Sequence, residues 1–236
     1  MDPIPAASTY SSSVAEADAY VRWILDYFSA RLAAPVVEVG LGHGGFVGHL
    51  AQLGPYVGLD IDPEAVANAG QQYPGLRFVT ADIARSDQLA PIGWGQARSL
   101  LCCNVLEHVE DDRLGVTHLL ALLAPGGHLL IQVPAHDFLY NDLDRLAHHH
   151  RRYGRKRLLE LFAGQPAEVV DVGFFNPIGF FGWWVNCLVT HHSLDGNAAN
   201  FQTRVFVKYL LPLSRLLTPL TRHFFGQSLM LVARKT

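Results

Sequence analysis

Hydrophobic positions along the chain fall into short continuous runs separated by amphipathic stretches. Apolar runs begin at Val36, Tyr56, Arg77, Ser99, His128, Ala167 and Ser228. Each is of strand length, and most close on glycine, proline, aspartate or asparagine, which predicts strands ending in turns. Between the runs, residues 44–53, 63–72, 113–123 and 155–162 carry helical spacing. Pro63 stands where a helix start needs no N–H. Ser13-Val-Ala-Glu16 reads as a capping box, predicting a helix over 14–33 that Pro35 ends. Strands alternating with helices give an α/β domain built on a largely parallel sheet.

The first strand carries the most specific chemistry. Val36-Val-Glu38-Val leads into Gly40-Leu-Gly42-His-Gly44-Gly45, and the next run ends in Gly58-Leu-Asp60-Ile-Asp62. Glu38 and Asp60 therefore flank a glycine turn at the carboxyl edge of the sheet, where open α/β sheets bind ligands. Gly40, Gly42 and Gly45 also fit the G-x-G-x-x-G dinucleotide spacing, with Asp60 at the distance that fingerprint asks for. Such a site sets a pyrophosphate on the helix N-terminus. Glu38 gains nothing from an anion nearby. It suits a ligand with an ammonium group and a ribose but no phosphate, such as S-adenosylmethionine. A nicotinamide-dependent dehydrogenase is the competing enzyme, and a non-catalytic nucleoside-binding partner subunit the competing class.

These residues resemble the class I S-adenosylmethionine-dependent methyltransferases. The resemblance runs through Glu38–Gly44, Gly58–Pro63, Ala81-Asp82-Ile83, Asn104-Val-Leu-Glu107-His108-Val109 and Leu123-Ala-Pro125-Gly126-Gly127. It implies a Rossmann-like α/β fold: a seven-stranded, mostly parallel sheet with helices on both faces. An N-terminal helix and a helical insertion between the last two strands are added. The expected domain plan is a helical cap at 1–34, a cofactor-binding core at 35–174 and 227–236, and an insertion at 175–226. The resemblance implies cofactor contacts from Glu38, Gly40, Gly42, Asp60, Ile61, Asp82 (to the adenine amino group), Ile83 (against the ring), Asn104 and Leu106. His108 is a candidate base or a structural corner residue. Some relatives carry a glutamate where Asn104 stands, and asparagine there argues against a metal.

After the fifth strand comes an individual stretch, from Pro134 through Tyr140, Asp144 and His148-His149-His150 to Arg151-Arg152-Tyr153. It is similar to a segment in one branch of these enzymes, which would set it beside the transferred methyl group. The histidine run has three readings. Asp144 and His148 at helical spacing could share a metal. A neutral imidazole, His149 by its family position, could act as general base. Or His149 and Arg152 could tie the loop together through Asp144. The expected catalytic set is His149, His108 and Tyr153, with no metal. Tyr140, Asp144, Arg152, Asn176 and Trp183 are expected to meet the substrate.

Residues 175–226 open on aromatics and continue with Phe206, Tyr209, Leu210, Leu213, Leu216, Leu217 and Leu220 near helical spacing. Such a stripe fits a lid, a homodimer face or, with Lys208, Arg215 and Arg222, a membrane-surface helix; lid or dimer ranks first.

Composition adds limits. Half the residues are hydrophobic, 17% are charged and the net charge is −3, which gives no electrostatic case for nucleic acid. Three cysteines make no disulfide framework, and the first 30 residues lack a secretory pattern, so a cytoplasmic setting is expected. The function expected is methyl transfer from S-adenosylmethionine to a small molecule. The favoured acceptor is an oxygen nucleophile of a natural-product or lipid-like intermediate, with an amine second.

Overall fold

The computed structural model describes residues 18–188 and 209–236. Seven strands form one sheet in the order β3-β2-β1-β4-β5-β7-β6. They are β1 (Val36–Val39), β2 (Tyr56–Asp60), β3 (Arg77–Thr80), β4 (Ala97–Cys103), β5 (Leu123–Pro134), β6 (Ala167–Phe175) and β7 (Ser228–Lys235). β3, β2, β1, β4 and β5 run parallel, and β7 is antiparallel between β5 and β6. Chain order reverses between β1 and β4, so the crevice beyond their carboxyl ends is the switch point where such sheets take ligands. Every residue of β1 is buried, as a strand covered on both faces should be.

The helices are α1 (Asp18–Phe28), α2 (Val47–Leu50), α3 (Pro63–Gln72), α4 (Ser86–Leu89), α5 (Asp112–Leu122), α6 (Asp142–Leu146), α7 (Arg155–Glu160), α8 (Pro177–Asn186) and α9 (Leu211–Thr221). Two apolar layers cover the sheet. One joins Leu100, Leu129 and Ile131 to Val116, Leu119 and Leu120 of α5. The other joins Leu101, Leu130 and Met230 to Trp23, Ile24 and Phe28 of α1 and Leu211 of α9.

Boundaries depart from expectation in instructive places. α1 stops at Phe28 and is followed by the 3₁₀ turn Ser29–Arg31, short of residue 33. The capping box at Ser13 and Glu16 lies outside the described residues, as do Phe206 and Lys208. α2 begins three residues later than its pattern, because the glycine turn consumes them. β5 starts at Leu123 rather than His128. Pro125-Gly126-Gly127 sits inside it as an irregularity, with Ala97 facing Leu123 and Ser99 facing His128. β4 begins at Ala97 and ends at Cys103, two residues before Val105. Asn104 then takes a left-handed turn (φ 52°), a conformation asparagine tolerates better than most residues.

Candidate active site

The cofactor side is assembled by backbone. Gly40 has φ 80°, and a Cβ there would stand 2.3 Å from the Val105 side chain. Only glycine lets the turn after β1 pass this close to the turn after β4. Its N–H donates to Leu59 O at 2.8 Å, tying the turn to β2. Asp60, 9% exposed, accepts from the N–H of Gly42 at 3.0 Å and of Asp62 at 2.9 Å. Burial pushes its carboxyl pKa upward against those bonds. A carboxylate has lone pairs beyond these two bonds, so a ribose hydroxyl can still be received. Asp62 caps α3 by accepting from Glu64 N at 2.8 Å, with Pro63 at the first helical position. A cleft between the turn and α3 is lined by Gly42, His43, Gly44, Asp62, Glu64 and Asn68.

Glu38 lies one strand from Asp60 and is 1% exposed. Tyr56 donates its hydroxyl to Glu38 Oε2 at 2.6 Å, while Oε1 has no partner. Burial first, and then the charge of Asp60, raise its pKa to about 8 despite that hydrogen bond. Ile61, half exposed, stands at the mouth beside Asp60. Asp82 is partly buried and turns its loop by accepting from Ala84 N at 2.8 Å.

Two of the expected cofactor contacts are buried. Ile83 is 4% exposed and packs in the core, its Cδ1 3.3 Å from where a Cβ on Gly115 of α5 would lie. Leu106 has no exposure and joins the same core. Their apolar chains gain more from burial behind the loops than from lining an open crevice.

The acceptor side is assembled by side chains. Asn141 and Asp144 form a full capping box on α6. Asp144 has no exposure; it accepts from Arg152 Nε at 2.9 Å and from His149 Nδ1 at 2.8 Å. Burial alone would raise its pKa, but the bonds from His149 and Arg152 hold it below the usual carboxylate range. Arg152, 2% exposed, lies with its guanidinium 4.4 Å from the Trp183 ring centroid, and the Trp183 indole donates to Leu139 O at 3.2 Å. Tyr140 donates to His149 O at 2.7 Å. These contacts hold the loop in shape around Tyr140, Asp144 and Arg152. Asn176 is also interior, 1% exposed, capping α8 and bonded to Gln227 and Ser214.

Tyr153 is interior as well. It has no exposure, and its hydroxyl lies 3.0 Å from Leu106 O and 2.9 Å from Asp112 Oδ2. Burial, then the Asp112 charge, push its pKa far up, so it holds its proton and braces the β4 turn. His148 and His150 are exposed, and only His149 turns inward. The shared-metal pairing of Asp144 with His148 is therefore not formed.

His149 meets His108 edge to face at 4.7 Å between ring centroids. Burial, and then the neighbouring histidines, push the His108 pKa down to about 3, so its imidazole is neutral. Beside them lies Glu107, for which the sequence motif suggests no role. It is fully buried, neither carboxyl oxygen has a partner, and burial raises its pKa to about 7. The adjacent Glu107-His108 pair was its one sequence signal.

With this geometry in place, the relatives can be compared. Residues 37–129 match the family model described as a methyltransferase domain. Over 106 residues the chain is 39% identical to a trans-aconitate 2-methyltransferase of Variovorax paradoxus, covering 43% of this chain and 39% of that one. Over 114 residues it is 35% identical to a ubiquinone biosynthesis O-methyltransferase of Xanthomonas oryzae pv. oryzae, covering 45% and 47%. The chain thus spans less than half the length of these curated relatives. Solved structures match along nearly its whole length. An S-adenosylmethionine-dependent methyltransferase from Mesorhizobium loti superposes with TM-score 0.62 at 17% identity, over 93% of this chain and 100% of that one. One from Archaeoglobus fulgidus gives 0.59 at 16%, over 92% and 94%. The fold is that of the Rossmann-like class I methyltransferases, and the matched segment ends inside β5, before the histidine run.

Proposed function

We propose that the protein transfers the methyl group of S-adenosylmethionine to an oxygen of a small-molecule acceptor. The carrying observation is the pairing of Glu38 and Asp60 around the glycine turn at the β1/β4 switch point, inside a segment that matches a methyltransferase domain. Glu38 meets the ammonium end of the cofactor, Asp60 the ribose, and Asp82 the adenine edge. Asn104 holds the turn closest to the sulfonium. This replaces the dehydrogenase reading, since a buried carboxyl under the turn does nothing for a pyrophosphate.

Transfer is an in-line displacement. The acceptor oxygen attacks the methyl carbon, the C–S bond breaks with its electron pair going to sulfur, and the acceptor's proton must leave. The protein's part is to align the oxygen about 3 Å from the methyl carbon and to clear that proton. His149 stands at the β4 mouth to do so, with Asp144 fixing its ring and the neutral His108 edge to face beside it. α8 covers the loop through Trp183 and limits water. The relatives named for O-methylation favour oxygen over nitrogen.

Calorimetric titration with S-adenosylhomocysteine, with NAD as control, tests the reading. Micromolar binding of the first and none of the second is expected. Binding of NAD alone would overturn it.

A further inference from the structure

α8 and α9 carry their apolar faces the wrong way round for packed helices. α9 buries Leu211, Ser214 and Thr218 against the domain. Ser214 is tied in by donating to Asn176 Oδ1 at 2.7 Å and accepting from Ile178 N at 3.2 Å. Leu213, Leu216 and Leu220 point outward, the last two 72% and 71% exposed. They fall at i, i+3 and i+7, one stripe along the helix. α8 and the turn after it repeat the pattern: Phe181, Trp184, Val185 and Leu188 follow i, i+3, i+4 and i+7, and all are exposed. Phe224 stands exposed just past α9. Phe225 beside it meets Phe181 at 5.8 Å between ring centroids, so the two stripes join into one face.

Small polar residues inside and leucines outside reverse the pattern of a soluble surface helix. At roughly 100 Å² of apolar surface from each half-exposed large side chain, the eight outward residues make about 800 Å². The largest apolar patch on a typical monomer is only about 300–600 Å². A lid buries its stripe against its own chain, and among the described residues this one faces away from it.

Charge chooses between a second copy and a lipid surface. Residues 1–171 hold twelve Lys and Arg against twenty Asp and Glu, whereas residues 172–236 hold six against one, Asp195. Neither helix carries a carboxylate. The carboxylates that α9 meets are each engaged by an arginine, Asp26 by Arg215 at 2.6 Å and Asp171 by Arg222 at 2.6 Å. The chain joining the helices adds Arg204 and Lys208. A twofold pairing sets this cation-rich part of the chain against itself, whereas anionic lipid phosphates meet it with opposite charge. No described helix is long and apolar enough to cross a membrane. α8 and α9, of ten and eleven residues, reach about 15–17 Å, half of the ~30 Å hydrocarbon core. Their geometry is that of helices lying in the interface.

We propose that α8 and α9 form a docking face for an anionic lipid surface. Leu213, Leu216 and Leu220 enter the acyl boundary, Trp184 sits at headgroup level, and the basic chain around them meets lipid phosphates. The inference goes beyond methyl transfer and holds whichever acceptor is methylated.

The test is flotation of the full-length protein with vesicles of phosphatidylcholine alone or of phosphatidylcholine mixed with phosphatidylglycerol. Flotation with the anionic vesicles is expected, at least ~10-fold above the neutral ones. The double variant Leu216→Ser, Leu220→Ser is expected to cut it at least ~10-fold, since binding scales with the apolar area inserted. Its thermal midpoint should be unchanged, which separates lost docking from lost fold. Brominated acyl chains should quench tryptophan fluorescence in the wild type, and Trp184→Phe should remove most of that quenching. Absence of flotation with anionic vesicles, equal flotation with neutral ones, or full flotation of the double variant would each overturn the docking face. So would a dimer in lipid-free sedimentation that the same double variant splits into monomers, because the face would then belong to a second copy.

Discussion

The two halves of the site are built by different means. Around β1 and β2 the ligand-facing geometry is made of peptide groups: Gly40 N–H on Leu59 O, and Gly42 and Asp62 N–H on Asp60. Beyond β5 it is made of side chains: Asp144 with Arg152 and His149, and Tyr153 with Asp112. A backbone-built site asks only for glycines and two carboxylates, and many sequences can supply it for the same ligand. A side-chain-built site depends on each residue's identity and can be rewritten for each acceptor. The methyltransferase domain match ends between them, at residue 129.

The contrast can be broken most forcefully at Asp144. Asp144→Ala leaves Arg152 buried and unpaired, and should lower unfolding free energy by about 3–5 kcal/mol in urea titration. Replacing Arg152 as well, with methionine, should recover much of that loss. If Asp144→Ala costs under about 1 kcal/mol, the acceptor half is not held by this ion pair. Next comes a double dissociation. His149→Ala should cut turnover by about 100-fold or more, with S-adenosylhomocysteine affinity nearly unchanged. Asp60→Ala should weaken that affinity by about 100-fold, near 2.7 kcal/mol, in calorimetry. Equal effects of both variants on binding would mean the two halves are one unit.

The remaining tests are in pH. Glu38 has a folded pKa raised by burial, so the folded state holds its proton longer than the unfolded one does. Its contribution to stability therefore falls as pH rises from about 4.5 to about 8. Asp112 shows the opposite sign: burial would raise its pKa, but Arg151, Tyr153 and Arg157 lower it below the ordinary value. Its contribution is present above about pH 4 and lost as pH falls through the folded pKa. Thermal melts of Glu38→Gln should lose part of the decline between pH 5 and 8, and Asp112→Asn should lose part of the acid-side drop. Parallel profiles in all three proteins would refute both assignments.

How much of this is readable without coordinates follows the same division. The strands, the glycine turn and Asp60 follow local rules of period, turn chemistry and spacing, and they emerge in the expected order with the ends of β4 and β5 shifted. The order around β7 follows the family resemblance, since nothing in the run from Ser228 says which neighbours it joins. Which histidine faces inward depends on His148 adopting φ 58° after a short helix, and no periodicity reports that. Ile83 and Leu106 lie in the core beneath their motifs, a placement that no local pattern reports. Glu107 is hidden because its meaning depends on side chains that lack a bond to it.

β7 carries a consequence for how the chain is made. Its residues pair with β5 on one side and β6 on the other, so both strands wait for it. During synthesis the nucleoside half can close as soon as β4 and β5 have emerged. The acceptor half stays ajar until residues 228–235 leave the ribosome. In that interval β5 presents an open edge rich in leucine, isoleucine and valine, the kind of edge that recruits other strands. Nascent chains stalled in the α8–α9 region should therefore depend on chaperones more than chains stalled before β5, and slow translation across α8–α9 would lengthen that exposure.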